Sequence, residues 1–149
     1  MNVTAYSIAQ RFVGVREVRG KVANPLILAM LKLDDEWPEN DEVPWCSAFL
    51  NFVAWLLRLP RSKSLAARSW LLVGTPVPPG EARPGFDVVI LSRTAAGPEV
   101  IDAPGHAGFF AGYAGNQIVL LGGNQGDAVS LGYFPAGRIL GIRRIYSEE

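Results

Sequence analysis

Pro44-Trp45-Cys46-Ser47-Ala48-Phe49-Leu50-Asn51-Phe52-Val53-Ala54-Trp55-Leu56-Leu57-Arg58-Leu59-Pro60 is the stretch on which the fold turns. From Trp45 to Leu59 it is apolar nearly all round, with Arg58 its one charge, so a helix here must be covered on most sides. The run is too short to cross a bilayer core of about 30 Å as a helix. Pro60, which lacks an N–H and clashes with the preceding turn, stops it. It reads as the central core helix, and the flanking sequence has to supply its cover.

Working outward toward the N-terminus, Thr4 can cap a first helix with Ile8, Phe12 and Val13 on one face, ending near residues 14–20. Asn24-Pro25 reads as N-cap and first residue of a second short helix through Leu33, with Leu28 and Leu31 inward. Residues 34–44 form a loop holding Asp34, Asp35, Glu36, Glu39, Asp41 and Glu42 without a basic residue. Such a loop can bind Ca²⁺, but it lacks the alternating ligand spacing and central Gly of an EF-hand and reads as a solvated connector.

Outward in the other direction, residues 64–72 make another short helix closed by Gly74. Residues 75–85, with Pro76, Pro78, Pro79 and Pro84, form an extended connector. Residues 86–92, 107–113, 117–121 and 138–145 carry the β-branched and aromatic enrichment of strands, and Tyr113-Ala114-Gly115-Asn116 reads as a hairpin turn. Helices first and antiparallel strands after predict an α+β fold over residues 1–149 as one domain, its N-terminal helices packed on one face of the sheet.

Composition narrows the chemistry. Lys plus Arg balance Asp plus Glu at 14 each, so no net field draws in nucleic acid or an anionic membrane. One cysteine and one histidine rule out an intramolecular disulfide and a Cys-based zinc cluster, and leave too few good ligands for catalytic zinc; a metal-free, cofactor-free mechanism is expected. Residues 1–11 have neither a basic leader nor a continuous apolar core, so no secretory signal is expected and the protein should be made in the cytoplasm.

The two singular residues carry the functional argument. Cys46 opens the core helix, where the positive end of the helix dipole favours a thiolate. His106 stands far downstream in Gly105-His106-Ala107-Gly108-Phe109-Phe110. A free cysteine is as readily an inert apolar filler, and a histidine between glycines a satisfied strand residue. A Cys followed downstream by a His and an Asn, however, is the order expected when a helix supplies a nucleophile and a sheet its base. Asn124, in Gly122-Gly123-Asn124-Gln125-Gly126-Asp127, can accept from one ring nitrogen of His106 and leave the other to face the thiol. It can equally be a turn residue that tolerates a left-handed backbone.

Pro44-Trp45-Cys46-Ser47-Ala48-Phe49, Ala67-Arg68-Ser69-Trp70, Gly105-His106-Ala107-Gly108-Phe109 and Leu121-Gly122-Gly123-Asn124-Gln125 together resemble a bacterial and phage group of cysteine peptidases in the papain-like superfamily of NlpC and CHAP domains. Gly14-Val15-Arg16-Glu17, Asn24-Pro25 and Arg138-Ile139-Leu140-Gly141 extend the likeness over nearly the whole chain. There are two departures. Where the family usually reads Pro-Gly-Asp, this chain has Pro84-Gly85-Phe86-Asp87, and no Glu lies between Asn116 and Arg138, where related CHAP domains use one.

The resemblance implies a papain-like NlpC/CHAP-type fold and a bacteriolytic, endolysin-like hydrolase. It makes Cys46 the nucleophile, His106 base and then acid, and Asn124 the residue orienting the imidazole. Trp45, Ser47, Arg68, Trp70 and Gln125 are candidate substrate-binding residues, although Trp45 and Trp70 can also be core aromatics and Arg68 a surface cation. The implied partner is peptidoglycan, reached in the periplasm or wall after release by a holin or membrane damage, with the protein acting as a monomer and without stable membrane insertion. A tail-associated lysin, a toxin, an acyltransferase or deamidase, and a non-catalytic domain of the same fold remain open.

Overall fold

The computed structural model describes residues 3–18, 24–34 and 45–146. Helix α1 (Ala5–Ala9) starts at a capping box in which Thr4 and Ser7 each accept from the other's backbone N–H. It tightens into a 3₁₀ turn, Gln10–Phe12, and stops there rather than running on. The cause is tertiary: Gly14 (φ +98°) turns the chain so that its N–H reaches Val129 O, and Arg16 bridges to Ala128. Phe12 packs edge-on against Phe49 and Phe52, whereas Val13, expected on the same face, is exposed. Helix α2 (Pro25–Leu31) has Asn24 as N-cap, its side chain accepting from Leu26 N–H, and Pro25 in the first turn. Leu31 is buried; Leu28 is half-covered, and Ile27 and Met30 take the other inward positions.

Helix α3 (Cys46–Leu56) is the core helix. Its first nine residues are buried except for the half-covered Phe52, but its last turn is not: Trp55 and Leu56 are exposed, and Arg58 adopts a left-handed φ of +56° just beyond it. The segment after it is a 3₁₀ helix, Ala67–Leu72, rather than an α-helix, and Gly74 (φ +67°) closes it.

Six strands form one antiparallel sheet: β1 (Thr75–Pro76), β2 (Asp87–Ser92), β3 (Gly105–Ala114), β4 (Gln117–Gly122), β5 (Ser130–Pro135) and β6 (Ile139–Arg144), in the order β1-β6-β2-β3-β4-β5. Four of them stand where expected. β1 falls in the proline-rich connector, and β5 is an edge strand whose Gly132 and Pro135 dilute the strand signal. The extra Phe86 is absorbed before β2 by stacking on Tyr146 at 4.5 Å, and Asp87 keeps register with Arg144 through an ion pair of 2.8 Å.

The fold is thus α+β, with the helices on one face. α1, α2 and α3 pack with Val88, Ile90, Ala107, Phe109 and Leu121. The opposite face carries Val89, Leu91, Phe110, Ile118, Leu120 and Ile142, with Phe134 against them. Period-two alternation along β3 therefore separates Ala107 and Phe109, which face α3, from His106 and Phe110. Among the described residues no helix is long and apolar enough to cross a membrane.

Candidate active site

Cys46 is the first residue of α3, and its N-cap, Trp45, offers no side-chain acceptor. Among the described residues the first N–H groups of the helix are consequently left without the usual side-chain cap. Burial, to 4 % exposure, pushes the thiol above its ordinary pKa, while the N–H groups of Ala107, Ser47 and Cys46 itself and the charge of Arg93 pull it back. The sulfur thus sits between an open helix N-terminus and the backbone of β3, one residue beyond His106.

His106 Nε2 lies 2.9 Å from Gln125 Oε1. The Gln125 amide is fixed independently, because its Nε2 donates to Leu120 O and Ser130 O at 3.1 and 2.7 Å. With both amide hydrogens on carbonyls, Oε1 is the acceptor, so the imidazole carries its proton on Nε2 and keeps the Nδ1 lone pair. The ring rests on Phe134, centroids 5.1 Å apart, and burial, with Arg93 and Arg138 nearby, pushes its pKa down against the bond from Gln125. It opens on a cleft of about 410 Å³ lined also by Arg93, Asn124, Gln125, Tyr133 and Phe134.

Several expectations are corrected here. The partner of His106 is Gln125, not Asn124: Asn124 has a left-handed φ of +58° in the turn and lines the cleft without a side-chain hydrogen bond among the described residues. The imidazole does not face the thiol through a hydrogen bond. β3 alternation turns the ring to the Phe134 side while Cys46 packs on the Ala107 side. Thiol and imidazole flank one strand.

Trp45, Ser47, Arg68 and Trp70, expected along a groove, are all fully buried. Trp45 Nε1 donates to Glu17 at 2.6 Å, and Trp70 Nε1 donates to Ser47 Oγ, which itself donates to Ser64 O. Among the described residues Arg68 has no acidic partner; its guanidinium donates to the carbonyls of Ala96, Gly97, Val100 and Pro104 and to Thr94 Oγ1, fastening the loop between β2 and β3. Of the acidic residues in the 34–44 connector, Asp34 pairs with Arg61 at 2.7 Å and the others lie outside the described residues. No cluster of three or more His, Cys, Asp or Glu able to hold a metal occurs among the described residues. Sequence reasoning missed Arg93 altogether, since an arginine after a strand carries no signal until its neighbours are known.

No protein-family model and no curated protein sequence matches the chain. Among solved structures it is similar to NlpC1 from Trichomonas vaginalis, with 12 % identity and a TM-score of 0.49 over 99 % of this chain and 46 % of that one. The chain spans less than half the length of that protein.

Proposed function

We propose that this protein is a papain-like cysteine hydrolase that cleaves an amide or peptide bond in the stem or cross-link peptides of peptidoglycan. The observation that carries the reading is the uncapped start of α3, where the thiol of Cys46 meets the N–H groups of Cys46, Ser47 and Ala107. Donors so placed stabilise a thiolate and, once it has attacked, an oxyanion. The four motifs described above supply the substrate class.

In this mechanism the Cys46 thiol gives its proton to His106 Nδ1, directly after a local rearrangement or through one water, and the sulfur adds to the amide carbonyl. The oxyanion is held by backbone N–H groups. Collapse breaks the C–N bond as His106 returns the proton to the departing amine, and water activated by the same imidazole hydrolyses the thioester. Gln125 holds the ring by Nε2 throughout. The test is turbidity loss of purified sacculi. Wild type should clear them and Cys46→Ala, still cooperatively folded in a thermal melt, should not; equal rates would sink the mechanism.

A second reading is a non-catalytic domain of the same fold. It is favoured by one observation, the absence of a hydrogen bond between the buried thiol and the imidazole across β3. Iodoacetamide separates the two: a wild-type enzyme that loses its activity with a single adduct on Cys46 excludes an inert filler.

A further inference from the structure

The side chains bordering His106 are cationic. Arg93 follows β2 directly, is exposed, and lines the His106 cleft; with Ser92, Thr94 and Arg138 it also lines an adjoining depression. Arg138, just before β6, donates Nε–H to Ser92 O at 2.8 Å and stands 5.9 Å from the centre of the Phe134 ring, the same ring that supports His106. The two arginines therefore bracket one rim. Among the described residues neither has an acidic partner, since the ion pairs are Arg61 with Asp34 and Arg144 with Asp87.

The rim is also held in place. The Arg93 N–H donates to Pro104 O, and the loop that follows is fastened from beneath by Arg68. Arg93 acts electrostatically on both Cys46 and His106, lowering the pKa of each, and Arg138 on His106 alone. Among the described residues Arg93 is thus the charged side chain whose field bears on both reactive groups. Like charges without a counter-ion gain from an anion placed between them, and a guanidinium presents a planar fork that matches a carboxylate.

We infer that Arg93 and Arg138 form an anion subsite that takes a free carboxylate of the substrate close to the scissile amide. This deepens the proposed function and rests on it for the identity of the substrate: a peptide bond flanked by an acidic residue or a free α-carboxylate. A neutral or amidated peptide at that position is disfavoured. Arg138 contributes as the member tied to Ser92 and Phe134, and Arg93 as the exposed one at the mouth of the cleft.

The chain has one histidine, so its imidazole gives a single set of proton resonances, and these report on the subsite independently of turnover. Titration of the full-length protein with N-acetylglutamate should shift the His106 resonances saturably and raise the ring's pKa, because the bound carboxylate offsets two nearby cations. Arg93→Gln should weaken this binding about tenfold or more, and Arg93→Gln with Arg138→Gln should abolish it. In parallel, wild type should cut sacculi whose carboxylates have been amidated at least about tenfold more slowly than native ones, a preference the double variant loses.

No saturable shift in wild type, or the same shift in the double variant, overturns the subsite. An equal response to inorganic phosphate overturns its assignment to a carboxylate. A shift lost in the variants, together with sacculi that wild type leaves intact, upholds the subsite and instead refutes peptidoglycan hydrolysis.

Discussion

At His106 the decisive bond comes from Gln125, whose amide hydrogens are already committed to Leu120 O and Ser130 O. Gln125→Ala should therefore lower kcat by about 10²-fold, the scale of a mispositioned general base, and destabilise by about 1–3 kcal/mol through the unsatisfied groups it leaves. Asn124→Gly should leave rate and stability within about 0.5 kcal/mol of wild type, because glycine adopts the φ of +58° without strain. Sacculus assays and thermal melts on the two variants check both. The pH dependence follows from the two reactive groups. His106 has a folded pKa below its unfolded value of about 6.5, so its contribution is present above that pH and is lost as pH falls through the folded value. Cys46 has a folded pKa above its unfolded value of about 8.5, so its contribution is complete below that pH and is lost as pH rises through the folded value. Their joint contribution is therefore greatest between about pH 6.5 and 8.5; His106→Gln should flatten the acid limb of a Tm-against-pH curve and Cys46→Ala the alkaline limb. Cys46 was legible as a helix-opening residue because an apolar run and a proline bracket its helix. The choice between Asn124 and Gln125 was not, since it depends on left-handed backbone at Asn124, Gly126 and Asp127, which sets which side chain turns inward.

Between elements, the seam that matters joins the start of α3 to the end of β4. A Cβ added at Gly123 would lie 2.7 and 2.8 Å from ring atoms of Trp45 and 2.9 Å from Phe49 Cβ, so only glycine lets the turn pass under the helix. Gly123→Ala should push the first turn of α3 off the sheet, cost about 1–3 kcal/mol, and lower activity by more than the fall in Tm accounts for, because Cys46 opens that turn. Paired melting and turnover measurements decide it; an active variant with only reduced Tm would uncouple the seam from the thiol. Four strands could be read from β-branched and aromatic runs. β5 escaped because its outward residues, Leu131 and Tyr133, are apolar and its inward ones include Gly132, so the alternation of an edge strand is inverted. The segment after α3 misled in another way: its helical pattern is real, but Trp70 and Arg68 are drawn inward on a tighter 3₁₀ path.

Taken whole, the molecule keeps its helices on one face of the sheet, as the order of helices and strands along the chain implied, and the candidate site lies at the start of β3. The burial of Arg68 was hidden because every acceptor lies 26 to 36 residues downstream. Those carbonyls belong to a loop without regular structure, whose few internal hydrogen bonds leave the guanidinium, itself fully buried and in need of acceptors, as the tie that joins it to the segment carrying Arg68. The 3₁₀ segment Ala67–Leu72 and residues 93–104 must then open and close together. Native-state hydrogen exchange should report one shared opening free energy for both, and Arg68→Met should raise exchange across the loop while leaving the β4–β5 ladder protected. Two parts of the chain separated in sequence would thus behave as a single cooperative folding unit, its latch a lone cation.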